Sequence, residues 1–367
     1  MTSPRFLVSG YYGFGNTGDE AILAGLIEGF RELCSEAELT VLSGNPDGTM
    51  TEHGVVAVPR GLGSVRRHLP LCDAFIAGGG GLLQDVTSWR SPLYYLAAMR
   101  LARSARRPVA FIAQSIGPLR RSWVRALARK ALSQAEVVAV RDAASAAALT
   151  ELGLSRPAEV TADLAFLLPP PTEAEVSAAR AKAGIADLTG PVAAIALRNR
   201  PGQERDAKAE AVGRAAVALC QALHLRPLLI PMQPAQDTAL AQAIAVSSQA
   251  GQAIVSPPLR AREMLALTAG CQLVIAMRLH ALILGALSRV PLVAVSYDPK
   301  VDGLMEQLAL EPAADVARFD EERLAQAVRD AWENRAGISS ALADRVPIMR
   351  RLALRNVELA LALVPPN

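Results

Sequence analysis

In the triplet Arg278-Leu279-His280 a guanidinium and an imidazole stand two residues apart, directly after the apolar run Leu273–Ala276. That run predicts a buried strand, and Ala281–Leu287 predicts a helix. The triplet therefore falls at the carboxyl end of a strand and the opening of a helix. Open α/β sheets bind ligands at that edge, and a helix amino end favours anions. An arginine fork there can hold a carboxylate or phosphate. A histidine titrates near neutral pH and can give or take a proton. Taken singly, Arg278 reads as a surface charge and His280 as a packed core histidine. Their pairing at a strand-to-helix junction favours a site.

Similar punctuation follows other apolar runs. Phe6–Ser9 leads into Gly10-Tyr11-Tyr12-Gly13-Phe14-Gly15-Asn16-Thr17-Gly18-Asp19-Glu20 and then a helix from about Ala21 to Leu33. Gly13–Gly18 fits G-x-G-x-x-G, a weak match by itself. A dinucleotide site needs an acid at the end of the second strand. Leu39–Leu42 instead runs into Ser43-Gly44-Asn45-Pro46, so NAD is not expected. Asn16 and Asp19 read either as helix caps or, with Gly18, as groups that line a cleft and orient a sugar. The second is preferred, because Asp19 and Glu20 would repel a phosphate at this helix start.

Ala74–Ala77 is followed by four glycines, Gly78–Gly81, and by Leu82-Leu83-Gln84-Asp85. Four consecutive glycines are conformationally costly, so something must approach the backbone there. Gly79, Gly80, Gln84 and Asp85 are assigned to that rim as substrate-binding groups. Val109–Ala113 leads into Gln114-Ser115-Ile116-Gly117-Pro118, a third such loop. Val137–Val140 ends at Arg141, and Asp163 follows Ala162 in the same manner. Further along, Arg198 follows Val192–Leu197, and Lys300 follows Leu292–Val295. Each of Arg141, Arg198 and Lys300 alone reads as a solvated charge. Together at strand ends they form a plausible anion cradle.

The elements that must position these residues alternate strand and helix, which predicts α/β architecture with parallel strands. A chain of 367 residues exceeds a single core. Pro169-Pro170-Pro171 is a stiff spacer where the rhythm breaks. Residues 1–168 are therefore read as an N-terminal Rossmann-like domain and residues 172–367 as a second one, facing each other across a cleft. An amphipathic helix near Ser339–Leu363 is a candidate to cross back and brace the first domain.

Composition narrows the classes. Apolar residues make up 51%, charged residues 20%, and the net charge is +3, so no global nucleic-acid footprint exists. Arg90–Arg141 is uneven: eleven basic residues stand against the single acid Glu136. That stretch is a solvated face or a surface for an acidic substrate or anionic lipid heads. Cys34, Cys72, Cys220 and Cys271 are scattered and read as buried hydrophobes. His53, His68, His224 and His280 lack metal-ligand spacing, so no metal is expected. The start Met1–Arg5 lacks a signal-peptide pattern, and no apolar run approaches the ~20 residues that span a bilayer. The expected location is the cytoplasm, with peripheral contact with the inner membrane surface left open.

Gly10–Glu20, Gly78–Gly81, Gln114–Pro118, Val140-Arg141-Asp142, Met277–His280 and Ser296-Tyr297-Asp298-Pro299-Lys300 together resemble the polysaccharide pyruvyl transferase family, and within it the CsaB type of bacterial cell walls. The similarity runs in order from Phe6 to about Lys300. It implies a GT-B-like fold, with the acceptor on the N-terminal side and the donor on the C-terminal side. It implies phosphoenolpyruvate as donor substrate, no cofactor, and a sugar diol as acceptor, giving a pyruvate ketal and phosphate. For the CsaB type, the acceptor is N-acetylmannosamine of a lipid-linked secondary cell-wall polymer precursor, whose ketal later anchors S-layer proteins. The donor-binding arginine and the Arg-Leu-His triplet of the family map onto Arg198 and onto Arg278, Leu279 and His280; Arg141 is carried over with them.

This inventory suits that reaction. Phosphoenolpyruvate places a carboxylate and a phosphate close together, and Arg198 and Arg278 each offer a planar fork. His280 is the candidate acid or base, Asp19 or Asp163 a candidate to take a proton from the acceptor, and Arg141, Arg278 or Lys300 the charge that eases phosphate departure. Two rival readings share the pattern: a GT-B glycosyltransferase using a nucleotide sugar, and a non-catalytic sugar-binding protein of the cell envelope.

Overall fold

The computed structural model describes residues 3–86, 88–200, 203, 206–248 and 253–364. It divides into two compact units. The first comprises Met1–Phe14, Asp19–Leu168 and Met349–Asn367; the second comprises Gly15–Gly18 and Pro169–Ile348. The expected division was residues 1–168 and 172–367, with the last helix a candidate to cross back. The short segment Gly15–Gly18 groups with the second unit, and residues 349–367 group with the first. Pro347 lies inside the last helix, Arg335–Leu361, one residue before the second unit ends at Ile348.

The first unit holds β1 (Arg5–Ser9), β2 (Glu38–Ser43), β3 (Val56–Pro59), β4 (Ala74–Leu83), β5 (Val109–Ile116), β6 (Val137–Val140) and β7 (Glu159–Val160). They form one sheet in the order β3-β2-β1-β4-β5-β6-β7, and every neighbouring pair is parallel. The second holds β8 (Val192–Ala196), β9 (Arg226–Leu229), β10 (Ile254–Val255), β11 (Leu273–Ala276), β12 (Leu292–Ser296) and β13 (Ala314–Asp315), ordered β10-β9-β8-β11-β12-β13 and again parallel. In each sheet the chain winds outward from one strand, then returns to that strand's other side. The switch point lies between β1 and β4 in the first unit and between β8 and β11 in the second.

The central strands are apolar because helices cover both faces of a parallel sheet. β8, β11 and β12 are buried along their whole length. The helix Leu279–Leu287 is apolar nearly all round, and from Leu279 to Ala286 only His280 is not buried. In the first unit, Asn356 ties the last helix to the sheet: its Oδ1 accepts from the Ala113 amide and the Thr161 hydroxyl, both at 3.0 Å.

Two expected loops are strand instead. Gly78–Gly81 continue β4, and Gln114–Ile116 continue β5, with the two strands paired out to Leu83 opposite Ile116. A register shift between Gly80 and Leu83 accommodates the glycines. The short strands β3, β7 and β13 and the helices Pro46–His53 and Leu62–His68 were not expected. Elements of two to eight residues carry too little periodicity to declare themselves. Cys72, Cys220 and Cys271 are buried thiols, and burial pushes Cys220 and Cys271 up to about 12; Cys34 departs from the expectation in being half-exposed.

Candidate functional site

The first unit's strand ends carry many of the predicted residues, held in internal bonds. Two of the β4 glycines, Gly79 and Gly80, pack closely, whereas Gly81 is exposed with nothing near its Cβ position. A methyl group on Gly79, whose φ is +68°, would lie 2.1 Å from Cγ2 of Ile22, and one on Gly80 would lie 3.1 Å from Oδ1 of Asp19. The helix bearing Ile22 and Asp19 therefore rests directly on the strand, and this accounts for the backbone approach expected from the sequence. Gln114 donates from Nε2 to the carbonyls of Ala77 and Gly79, both at 3.2 Å, and so clamps the same segment.

Farther along that rim, Arg141 is buried. Its Nε donates to Ser115 Oγ and its Nη1 to Asp163 Oδ2, each at 2.6 Å. Ser115 in turn donates to Asp142 Oδ2 at 2.9 Å, and Asp142 caps the next helix through the Ser145 amide. Asp163 also caps its own short helical turn through the Ala165 amide. Asp85 accepts from the amides of Arg120 and Arg121 at 2.7 and 2.9 Å. Burial alone would raise its carboxyl, but those amides and the Arg121 guanidinium hold it below the usual range. Gln84 accepts from the Val86 amide at 2.9 Å. Arg141 and Asp85, both expected to bind substrate, are each matched by an opposite charge inside the unit.

The second unit presents a different rim. The register sets Ala196 of β8 beside Ala276 of β11, and Ala276 beside Ala294 of β12. Arg198 and Arg278 thus leave the sheet side by side at the switch point, with Tyr297, Asp298 and Lys300 following β12 next to them. Arg278 is buried and held edge-on by Asp237: Nε donates to Oδ2 at 3.0 Å, and Nη2 donates to Oδ1. Asp237 is itself fixed by the Gln233 amide at 2.8 Å. One edge of the Arg278 fork is therefore occupied, a correction to the picture of two equivalent forks.

Arg198 is half-buried. Its Nη1 donates to Tyr297 Oη at 3.0 Å, and its guanidinium carbon lies 5.2 Å from the centre of that ring. Lys300 Nζ lies 5.5 Å from the same ring and 3.5 Å from Asp298. Burial would raise the Tyr297 phenol, yet Lys300, Arg198 and Arg278 outweigh it and hold the phenol below its ordinary value. Arg198 and Lys300 thus set two positive charges around one ring, with Asp298 beside Lys300. A dianionic ligand would meet that field with little reorganisation.

His280 sits in the first turn of its helix, two residues beyond Arg278, with Leu279 buried in the core between them. Its ring rests on the Gly15–Gly18 segment of the same unit. A methyl group on Gly18 would come 2.1 Å from His280 Nδ1, so only glycine admits the imidazole there. That segment is pinned by the Thr17 amide, which donates to the Met232 carbonyl at 2.9 Å, and by Asn16 Oδ1, which accepts from the Gly18 amide at 3.1 Å. Asn16 thus takes the capping role, and Gly18 takes its place against the candidate acid. Asp19 belongs to the first unit, buried near Gly80 and close enough to raise the Tyr11 phenol alongside burial.

Two features escaped the sequence. Asp237 comes from a helix 41 positions from Arg278, with no local cue to their pairing. In the first unit, Tyr11 and Phe14 stack at 4.4 Å, while the Arg60 guanidinium lies 4.1 Å from the Tyr94 ring and 5.3 Å from Phe14. The doublet Tyr11-Tyr12 hinted at this cluster; Arg60, at the end of β3, did not. Among the described residues, no group of three His, Cys, Asp or Glu side chains could hold a metal ion, and no helix is long and apolar enough to cross a membrane.

Two parallel-sheet α/β units, each with its polar residues at the carboxyl ends of the strands, define a GT-B-like fold. Solved structures agree. S. aureus MnaA with UDP superposes with a TM-score of 0.68 at 11% identity, covering 98% of each chain. HepE from Anabaena in complex with UDP-glucose gives 0.65 at 17% identity, covering 98% of this chain and 99% of that one. MurG of Acinetobacter baumannii gives 0.52 at 12% identity, covering 98% and 99%. A comparison with curated proteins finds no match. The chain belongs to the polysaccharide pyruvyl transferase family, whose sequence model matches residues 16–299.

Proposed function

We propose that the protein transfers pyruvate from phosphoenolpyruvate to a sugar diol. The reading rests on one observation: Arg198 and Lys300 converge on the Tyr297 ring, with Arg278 at the neighbouring strand end and His280 in the first turn of the helix that follows it, all in the same unit. A donor with a carboxylate and a phosphate fits such a field, since each anion needs charge-assisted partners to offset its desolvation. Arg198 and Lys300 hold the donor, and the Arg278–Asp237 pair keeps a net-neutral brace behind it.

In the reaction, His280 gives a proton to the donor's methylene carbon, which becomes the ketal methyl. The cationic carbon that results is attacked by one sugar hydroxyl. The carbon–oxygen bond to phosphate breaks, the second hydroxyl closes the ketal, and the two hydroxyl protons restore His280 and leave with hydrogen phosphate. The first unit takes the acceptor, with the stacked Tyr11–Phe14 pair as a flat face for a sugar ring. Following the CsaB resemblance, the acceptor is N-acetylmannosamine of a lipid-linked secondary cell-wall polymer precursor.

Phosphate release from phosphoenolpyruvate, tested with soluble and lipid-linked N-acetylmannosaminides, examines this directly. A rate that requires both substrates, with a ketal in the product, is expected. The rival is a nucleotide-sugar glycosyltransferase, favoured by the UDP and UDP-glucose named with two structural neighbours. Release of nucleotide from UDP-sugars, with phosphoenolpyruvate inert, would replace the proposal by the rival.

A further inference from the structure

We propose that the first unit docks on an anionic lipid bilayer through an exposed tryptophan pair set in a field of arginines. The proposal is independent of the reaction. Trp89 and Trp123 come from two different helix starts and meet edge to face, with ring centres 5.9 Å apart. They remain 41% and 44% exposed, although tryptophan is a residue a soluble fold normally covers. Two of the three tryptophans in the chain are at this one spot. Leu127, 42% exposed, follows Trp123 by four residues on the helix Ser122–Ser133, so it extends the apolar stripe on the same face. That helix already buries Val124, Ala128 and Leu132 in the unit's core. Among the described residues this second apolar stripe meets Trp89 and is otherwise left partly exposed.

The surrounding charge decides the occupant. Along the chain ten basic residues stand between Asp85 and Glu136, and those two acids pair with Arg121 and Arg103. Arg90 adjoins Trp89, with its guanidinium 5.5 Å from the indole. Arg120 and Arg121 precede Trp123, and Arg125 and Lys130 follow it; all are exposed. Of these, Arg121 has an acidic partner, Asp85. A solvated surface interleaves both signs and does not expose paired indoles. A protein partner would need acidic and apolar groups in one particular pattern. A bilayer with anionic headgroups supplies both at once: indoles settle at the headgroup level, and each nearby cation adds electrostatic attraction. No spanning helix is needed for that mode of contact.

The test is co-sedimentation of the full chain with vesicles of phosphatidylcholine alone and with ~30% phosphatidylglycerol, at low and high salt, with tryptophan fluorescence read in parallel. Binding to the anionic vesicles, a blue-shifted emission, and weakening by salt are expected. The double variant W89S/W123S, and separately R90E/R125E/K130E, should each weaken binding by roughly tenfold or more while keeping the thermal transition of the parent. Equal binding of the charge-reversal variant and the parent would overturn the proposal. So would a preference for a soluble polyanion such as heparin that persists when both tryptophans are replaced. Vesicle binding is read without any substrate, so its failure would leave the pyruvyl-transfer reading untouched.

Discussion

The two strand-end rims of this protein use the same vocabulary to different ends. In the first unit, Gln114, Ser115, Arg141, Asp142, Asp163 and Asp85 are buried, and their charges are matched within the unit. In the second, Arg198, Tyr297, Lys300 and His280 stay half-buried, while Arg278 is buried against Asp237 and Lys300 lies 3.5 Å from Asp298. A buried, satisfied network fixes a backbone; a half-buried cluster of cations keeps part of its surface open to solvent. A polar residue at a strand end can therefore serve the fold as readily as a ligand, and its burial and partners separate the two rims.

The contrast can be broken most directly at His280. His280→Ala should lower the initial rate of phosphate release by about 10²–10⁴-fold and leave the melting temperature near that of the parent. If stability falls instead and the rate holds, the second rim is as structural as the first.

Arg141→Ala should do the reverse. It leaves the buried Asp163 carboxylate without its guanidinium, at a cost of about 3–5 kcal/mol in denaturant unfolding. Among molecules that stay folded, the donor KM should be unchanged; a large rise in KM would return Arg141 to the binding machinery.

Arg198→Ala should raise the donor KM by roughly 10–100-fold, as expected for losing a charged hydrogen-bond donor, with little effect on unfolding. An unchanged KM removes Arg198 from the donor site.

The smallest effect concerns Asp206, which caps the helix Ala207–Ala222 and pairs with Arg200. The Arg200 side chain holds its carboxyl at about 2, below the ~3.9 of an unfolded aspartate. Its folded-state pKa is depressed, so its stabilisation is full above about pH 4 and fades as pH falls toward 2. Asp206→Ala should cost ~1–2 kcal/mol at pH 7, and the gap to the parent should close in acid. A gap that is flat with pH would mean that the ion pair contributes nothing.

Much of this was legible beforehand. The alternation of apolar runs with helical stretches announced parallel α/β sheets, because a strand covered on both faces must be apolar throughout. Arg198, Arg278 and Lys300 could be placed at strand ends for the same reason. What sequence could not give was partnership. Arg141 and Arg278 look alike as strand-end arginines, and both turn out to be paired, to Asp163 and Asp237 at 22 and 41 positions' distance. The glycine run Gly78–Gly81 gave a true signal of close approach but did not say that the approaching group was the helix bearing Ile22.

By itself, the sequence determined the layer architecture, the family and the chemical types gathered at the strand ends, since these follow from local periodicity and from residue identity. Tertiary structure alone decided which of those charges are already satisfied, that Gly18 makes room for His280, and that two tryptophans far apart in the chain share one exposed patch. Such facts depend on distances between segments remote in sequence, and no local pattern encodes a distance of that kind.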